Sequence, residues 1–312
     1  MANTLNSDVI IHNELAQSGY LERIQDVLEV FNASSGGALM ITNELIKGDF
    51  NKEAFYDFAG SLVHRDVNSD ADVTAQKIGM GEMIGVKTPF KFGPFETTKE
   101  AFKRRQRSVE EFSFLVGQAY ADAELDGYIA YATGSLIAAI SGNTDMVETS
   151  SIATDGTRTI TKAMRKFGDR HARMALLAMD SATYFDYVDQ RVDAAIYNEA
   201  DAIIYGGQPG TMGKPVLVSD KMPANKILAL QPGAAAITVS QAPEFVGYPV
   251  NDKENIGIAW RAEGAVNVNL LGYSYKETAG ANPNLATLSA AANWQKHANS
   301  NKATAGVLLN LS

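Results

Sequence analysis

Residues 86–126 read VKTPFKFGPFETTKEAFKRRQRSVEEFSFLVGQAYADAELD, and the pattern of this stretch changes once, near Lys99. Before Lys99, large apolar side chains alternate with polar ones at the two-residue period of a strand. Pro89 and Pro94 have no backbone N–H to donate to a neighbouring strand. The stretch therefore predicts a strand that lies at a sheet edge or in a free-standing ribbon, outside any sheet interior.

After Lys99 the apolar residues recur every three or four positions, which predicts a helix over residues 99–126 or beyond. Thr97 and Thr98 can cap its first turn, and Glu100 suits the positive end of the helix dipole. At 1.5 Å per residue, residues 99–126 alone would span about 40 Å. One apolar stripe is expected to pack on a sheet. Its members are Phe102, Val109, Phe112, Val116, Ala119 and Ala123.

Residues 65–98 are polar, rich in turn residues and predicted to form an extended hairpin that leads into this helix. Val73 to Ile78 is the predicted first strand. A two-stranded ribbon is only marginally stable alone, and its open edges invite pairing with another chain. An ordinary surface hairpin is the alternative. The residues predicted to contact another subunit are Lys77, Met80, Met83, Val86, Lys87, Phe90, Lys91 and Phe92.

The segments on either side of the hairpin and helix predict a mixed α+β fold. Residues 1–35 contain a short amphipathic helix, and residues 38–64 read as a strand or turn followed by a helix. Residues 141–165 are turn-rich and suit a boundary. After it, a buried strand over residues 174–179 ends at Asp180, which is predicted to cap the next helix. Further short strands follow, three of them before residue 241.

Composition limits the classes of function. The chain has 312 residues, with 36 acidic against 27 basic side chains and a formal net charge of −9. Such a surface repels DNA as a whole, so only non-specific contact with nucleic acid is expected. Cysteine is absent, which removes disulfides and zinc–thiolate sites. No apolar run approaches the roughly 20 residues that cross a bilayer, and no signal peptide is recognised. We expect a protein without a membrane partner that is made in the cytoplasm.

No motif predicts an active site or a cofactor. The loop GQPGTMGKP resembles a phosphate-binding loop, but Gln208 stands at the first glycine position and Pro215 replaces the magnesium-binding hydroxyl. The four histidines are scattered, so no metal is expected either. Basic residues cluster at 165–173, where an intersubunit ion pair or a solvated turn is favoured over nucleic acid. The glycine loop is predicted to lie at a domain tip where chains meet, through Gly206, Gly207, Gly210, Gly213 and Lys214.

Three strings resemble the major capsid proteins of tailed double-stranded DNA phages. Residues 88–115 are similar to the transition from hairpin to spine helix, and residues 213–220 (GKPVLVSD) to a strand of the axial domain. Residues 272–312 are similar to the C-terminal region, with Asn282-Pro283 and Asn293-Trp294 as landmarks. The resemblance covers residues 38–312.

The resemblance implies the Hong Kong 97-type capsid fold of α+β class, organised around an extended loop and a long spine helix. The implied organisation is an N-terminal arm (1–35), a first part of the peripheral domain (36–64), the extended hairpin loop (65–98), the spine helix with more of the peripheral domain (99–155), an axial domain (156–255), and C-terminal strands that return to the peripheral and axial domains (256–312).

The resemblance also implies a function and partners. Copies of the chain would form hexamers and pentamers of an icosahedral head that encloses DNA in the virion, after assembly in the host cytoplasm. A portal, a separate scaffolding protein and, in some relatives, a decoration protein are the implied partners. Some relatives crosslink a hairpin lysine to a neighbour, but no matching asparagine or acid is found here, so no crosslink is predicted. Deleting residues 74–92 should leave the domain folded and prevent shell formation.

Two alternatives stay open at this point. The first is an encapsulin-like bacterial compartment shell, which would need a groove for a cargo peptide. The second is a soluble α/β enzyme whose hairpin acts as a lid, which would need a convergent set of polar side chains. The sequence offers neither feature, so the shell subunit of a phage head is the preferred interpretation, with a structural and not an enzymatic role.

Overall fold

A computed structural model describes residues 16–21, 23–24, 31–32, 35–57, 64–72, 79–105, 109–156, 158–196, 214–251 and 254–312. Strands within these ranges form two sheets. The strands are β1 (Leu39–Asn43), β2 (Phe50–Asp57), β3 (Gly79–Thr98), β4 (Val147–Ser150), β5 (Leu176–Met179), β6 (Val216–Val218), β7 (Lys226–Leu230), β8 (Ala235–Val250), β9 (Gly257–Leu270), β10 (Tyr273–Tyr275), β11 (Trp294–Lys296) and β12 (Gly306–Leu311).

The α-helices that are described over their full length flank these sheets. They are α1 (Lys99–Arg105), α2 (Val109–Ser141), α3 (Ile152–Asp155), α4 (Arg158–Arg165), α5 (Ser181–Ile196) and α6 (Leu285–Leu288). Residues 16–21 and 23–24 are also helical. Short 3-10 turns occupy Thr144–Met146, Gly168–Arg173, Glu277–Ala279, Ala291–Asn293 and Asn301–Ala303.

The first sheet has seven strands and is built on the long antiparallel pair β8–β9. Its order is β1-β8-β9-β10-β11, β3 also pairs with β9, and β2 pairs with β3. The β1–β8 pair is parallel, whereas β8–β9, β3–β9 and β2–β3 are antiparallel. The second sheet has five strands in the order β4-β12-β7-β5-β6. One core joins the two sheets through α2, where Leu136 and Ile140 are buried together with strand residues of both sheets.

The strand predicted around residues 86–92 is confirmed, but its surroundings differ from the prediction. Val86 is fully buried between Phe50 of β2 and Val268 of β9, so β3 enters the sheet at this point. Pro89 is accommodated because β3 pairs with β9 on one side, and the other edge beyond Lys87 pairs with no strand in the described ranges. The prediction that prolines and glycines exclude the strand from an internal sheet was therefore wrong at Val86.

The first strand of the hairpin is β2 and not the predicted one. Phe50–Asp57 lies in a segment that was predicted to be helical, yet eight of its residues pair with Gly79–Val86. Cross-strand pairing with β3 outweighs the weak local preference of these residues for a helix. The predicted strand over residues 73–78 lies outside the described residues.

Helices α1 and α2 cover the predicted helix of residues 99–126 except for residues 106–108, which lie outside the described residues, and α2 extends to Ser141. Its 33 residues span about 50 Å. The predicted packing stripe is only partly correct: Phe112 and Val116 are half-buried, Ala119 and Ala123 are exposed, and the side chains of Phe102 and Val109 lie outside the described residues. The buried face of α2 is displaced from the predicted stripe by one residue towards the C-terminus. It consists of Ser113, Gly117, Tyr120, Glu124 and Tyr128.

A close helix contact explains the displaced face. A Cβ on Gly117 would lie 2.1 Å from the carbonyl oxygen of Ala16, and a Cβ on Gly19 would lie 2.8 Å from that of Phe114. The two backbones can approach this closely only where a side chain is absent. The position of the N-terminal helical segment therefore selects which face of α2 is buried.

The second sheet confirms several predicted elements. Strand β5 covers the predicted buried segment, and Asp180 Oδ1 accepts a hydrogen bond from the Thr183 amide at 3.3 Å, as expected for a helix cap. The sheet does not follow the predicted boundary of 156–255, however. Strands β4 and β12 come from outside that range, whereas β8 lies inside it and belongs to the seven-stranded sheet.

Candidate assembly surface

The hairpin, formed by β2 and residues 79–86 of β3, is the part of the seven-stranded sheet in which β3 pairs with β2. Eight cross-strand pairs run from Phe50–Val86 to Asp57–Gly79, which corresponds to about 27 Å of strand. Two contacts anchor the hairpin towards Val86: Ser274 Oγ donates to the Glu82 carbonyl at 3.1 Å, and Lys52 forms an ion pair with Glu277. The outer edge of β2 pairs with no strand in the described part of the chain.

The residues predicted as hairpin contacts divide into two groups. Met80 is 71% exposed, Lys91 is exposed, and Met83 and Lys87 are half-buried, so these four are available to a partner. Lys77 lies outside the described residues.

The other predicted contacts, Val86, Phe90 and Phe92, pack in the chain's own core, so their prediction as contacts with another subunit was wrong. Val86 is fully buried. The ring of Phe90 lies 6.1 Å from that of Tyr128, and Phe92 lies 5.1 Å from Tyr120, both in edge-on contact with α2. Alternation along β3 aims these three side chains at the spine helix, which leaves the lysines on the opposite face.

A second surface lies on the far half of the β8–β9 pair. Its inner face packs on α2, where the Phe112 and Trp260 rings lie 5.0 Å apart. Its outer face surrounds a shallow cavity of about 310 Å³. Glu244 stands directly opposite Glu263, which forms an ion pair with Arg261. We name this set the outer ribbon face: Glu244, Val246, Tyr248, Arg261 and Glu263.

The N-terminal helical segment docks on α2 around a buried carboxyl group, here called the arm contact. The Tyr128 hydroxyl donates to Glu124 Oε1, and the Tyr20 hydroxyl donates to the same carboxyl group. Burial raises the pKa of Glu124, and the two tyrosine hydrogen bonds only partly offset that rise. Burial and the nearby carboxyl group also raise the pKa of Tyr20. The rings of Tyr20, Tyr120 and Phe245 close over the site at 4.9–5.6 Å.

The geometry around Glu124 does not suggest a catalytic or metal centre. A cavity of about 150 Å³ adjoins the carboxyl group and is lined mainly by aromatic side chains of β3 and α2. No group of three or more His, Asp or Glu residues in the described ranges is placed to hold a metal ion. Nor does any helix in those ranges combine the length and apolar character that crossing a membrane would require.

A family model for major capsid proteins of the 13-like type (Gp13-like) matches residues 8–308, which is nearly the whole chain. The chain belongs to this major capsid protein family. The family role is structural, and it favours the shell of a phage head over the encapsulin-like alternative. No curated protein matches the chain significantly.

Solved phage structures agree with the family assignment at the level of the fold. The mature capsid of bacteriophage PhiM1 has a TM-score of 0.56 at 8% identity, with 89% of this chain and 86% of that chain covered. A structure from Mycobacterium phage Cain has a TM-score of 0.53 at 12% identity, with 89% of each chain covered. A structure from Mycobacterium phage Bobi has a TM-score of 0.52 at 14% identity, with 87% of this chain and 88% of that chain covered. The α+β capsid fold expected from the sequence is confirmed.

Two features of the capsid protein escaped the sequence reading. The arm contact depends on a carboxyl group in the middle of α2, and the spacing of Glu124 and Tyr128 by one helical turn was the available signal. The outer ribbon face had no such signal, because its members come from two strands whose register only the fold defines. Of the predicted glycine loop, Gly206, Gly207, Gly210 and Gly213 lie outside the described residues, and Lys214 Nζ donates to the Ala172 carbonyl at 3.3 Å.

Proposed function

We propose that this capsid protein forms hexamers and pentamers that close into the icosahedral head of a double-stranded DNA phage. The observation that carries the proposal is the hairpin, whose outer edge pairs with no strand in the described part of the chain and whose Met80 is 71% exposed. An open strand edge is a template for pairing with another chain. Head-to-tail contacts between identical subunits close into rings when each contact repeats the same rotation.

The outer ribbon face supports the same proposal. Cross-strand Glu244 and Glu263 repel each other, and among the described residues Arg261 forms an ion pair with Glu263 alone. Val246 and Tyr248 add exposed apolar surface beside these charges. A surface that combines an uncompensated charge with apolar side chains suits a polar subunit interface.

The wider assembly follows from the same role. We propose a portal and a separate scaffolding protein as partners, with a decoration protein as an optional one. The net charge of −9 favours only non-specific contact with packaged DNA. The assembled protein resides in the virion, after assembly in the host cytoplasm. The role involves no catalysis and no crosslink through Lys77, Lys87 or Lys91.

The structure improves the design of the deletion test. Removing residues 74–92 would delete Val86 and Phe90 from the core, so the chain is expected to unfold, contrary to the prediction from the sequence. A better deletion replaces residues 58–78 with Asn-Gly. Asp57 and Gly79 are already paired, and a two-residue turn of this type joins such a pair without changing its register.

The test compares the shortened chain with the unmodified chain, each expressed with its scaffolding partner and examined by negative-stain electron microscopy and sedimentation. We expect the unmodified chain to form closed shells and the shortened chain to stay as folded monomers or small oligomers. Thermal unfolding of the shortened chain serves as the control for folding. Normal shells from the shortened chain would contradict a role in assembly for the segment that joins the two hairpin strands, and failure of the unmodified chain to form shells would contradict the proposed function.

A further inference from the structure

Basic side chains concentrate on one short segment of the five-stranded sheet domain. Residues 158–173 contain six of the chain's 27 lysines and arginines, together with His171 and a single acid, Asp169. The segment comprises α4 and the 3-10 turn Gly168–Arg173, and we name it the arginine ridge. A chain with a net charge of −9 therefore carries a local region of strong positive charge.

The lysines near the ridge form ion pairs, whereas its arginines form none with a described residue, although Arg170 lies near enough to Asp169 to help lower the pKa of that carboxyl group. Lys162 pairs with Asp155 at 2.6 Å, Lys166 with Glu148 at 3.4 Å, and Lys302 with Asp169 of the ridge. Four arginines are exposed and form no ion pair with any described residue: Arg158, Arg165, Arg170 and Arg173. Arginine presents a planar fork of donors that fits a carboxylate, so this is a suitable surface for acidic groups.

The ridge is held in one position. Ile160, Met164 and Phe167 are buried beneath it against the five-stranded sheet. The turn after α4 is fixed by Gly168, which has a φ of +60°, and by a 3.0 Å hydrogen bond between His171 Nδ1 and the Gly168 carbonyl. Because the backbone is anchored in this way, binding of a partner would order only the arginine side chains.

An acidic segment with complementary charge lies in the part of the sequence that connects the two strands of the hairpin. Residues 64–72 (HRDVNSDAD) are all exposed and contain three aspartates against one arginine. A turn is set by Asp66, whose Oδ1 accepts from the Asn68 amide at 2.9 Å. Asp70 and Asp72 have no hydrogen bond or ion pair with any described residue. We name residues 64–72 the acidic tip.

The acidic tip and the arginine ridge are not joined by any hydrogen bond or ion pair within the described chain. In the sequence the tip lies between β2 and β3 of the seven-stranded sheet, and the ridge packs on the five-stranded one. Building on the proposed self-assembly, we infer that the acidic tip of one copy binds the arginine ridge of a neighbouring copy. Each subunit then provides one ridge and one tip, as a repeating head-to-tail contact requires.

The observations favour a second copy over nucleic acid as the partner of the ridge. Outside the ridge, acids outnumber bases by more than in the chain as a whole, so a polyanion that approached the ridge would meet repulsion from the surrounding surface. A short acidic tip on a hairpin avoids this repulsion because only its own few charges approach. The contact should weaken as salt is added, since exposed charges are screened within about 8–10 Å at physiological ionic strength.

Charge reversal on both sides tests the inference in the full-length chain. The ridge variant is Arg170→Glu with Arg173→Glu, and the tip variant is Asp70→Arg with Asp72→Arg. We expect each to lower the yield of shells at least about tenfold, since two attractive contacts become repulsive in every subunit. The combined variant has the net charge of the unmodified chain and should restore the yield to within about threefold. Shell yield is measured by sedimentation, with electron microscopy of the pelleted particles.

Two controls make the result specific. The first control, Lys47→Glu with Arg104→Glu, changes the net charge by the same amount as the ridge variant, at exposed positions outside the ridge. It should leave the yield of shells unchanged. Thermal unfolding should be the same for all variants, because every changed side chain is exposed.

Shells from both single variants, or no recovery in the combined variant, would overturn the inference while the proposed function stands. Normal shells with a reduced DNA content from the ridge variant would also overturn it, in favour of nucleic acid as the partner. If the unmodified chain forms no shells, the proposed function fails and the inference fails with it.

Discussion

The two halves of β3 have opposite surroundings although they form one continuous strand. Residues 79–85 pair with β2 only and form the hairpin, in which Met80 is largely exposed. Residues 86–98 pair with β9 and place Phe90 and Phe92 against α2. The first half carries glycines at three of its seven positions, whereas the second carries large side chains on its inner face. Side-chain volume, and not the presence of proline, therefore decides which half joins the core.

The largest expected effect is the difference in stability between two variants, each of which places an aspartate in one half of β3. Val86→Asp buries an unpaired carboxylate between β2 and β9 and should destabilise the fold by about 4 kcal/mol or more. Met80→Asp in the hairpin should change the free energy of unfolding by less than about 0.5 kcal/mol. Soluble yield and urea denaturation measure both. Equal stability of the two variants would mean that the halves do not differ as described.

The next effect tests the helix on which the inner half of β3 rests. Gly117→Ala would bring a Cβ to 2.1 Å from the Ala16 carbonyl oxygen and should cost about 1–3 kcal/mol as the N-terminal segment shifts. Gly127→Ala on the same helix meets no atom within 4 Å and should stabilise the fold by about 0.5–1 kcal/mol. Thermal unfolding of the pair separates loss of packing from the gain in helix propensity. A stabilising Gly117→Ala would contradict the close contact.

A smaller effect concerns pH. The pKa of Glu124 is raised in the folded chain by burial, so the folded state binds a proton more tightly than the unfolded state. The contribution of this group to stability is therefore greatest at low pH. It falls as the pH rises above the ordinary glutamate value of about 4.3, by at most about 1.4 kcal/mol per pH unit. Glu124→Gln should flatten this part of the profile of unfolding free energy against pH. An unchanged profile in that variant would show that another group titrates.

The smallest effect is expected at the surface of the arm contact. Arg23 and Asp122 form a 2.9 Å ion pair, but both side chains are more than half exposed. Asp122→Ala should therefore change the free energy of unfolding by less than about 0.5 kcal/mol, and less in high salt. A double-mutant cycle with Arg23→Ala measures the pair directly. A coupling above about 1 kcal/mol would mean that the pair is far less hydrated than its exposure indicates.

Sequence patterns predicted those elements whose signal lies within the element itself, in its apolar periodicity or its capping residue. The period of residues 86–92 predicted β3, the spacing after Lys99 predicted α2, and Asp180 marked the start of α5. Patterns failed where a distant segment decides the outcome. Strand β2 is extended because β3 pairs with it, and the buried face of α2 is set by contact with Ala16. The capsid family was recognised from the order of elements and from several weak motifs together.

The candidate surface was predictable only in part, for a related reason. Alternation along β3 could not tell which face would meet α2, so Val86, Phe90 and Phe92 were assigned to a partner although they face the core. The basic cluster at 165–173 was visible in the sequence, but its unpaired arginines became apparent only once the lysine ion pairs were known. The sequence alone does not distinguish a charged side chain that pairs with a residue distant in the sequence from one that forms no ion pair.

The position of β12 has a consequence for synthesis on the ribosome. This strand lies between β4 and β7, although its residues, 306–311, follow those of β7 by some eighty positions. A nascent chain therefore leaves β4 without its neighbour until translation has passed Leu311 and that segment has left the exit tunnel. Prematurely terminated products lack the strand that joins β4 to the rest of the sheet, so a subunit is competent for incorporation only after translation has reached this point.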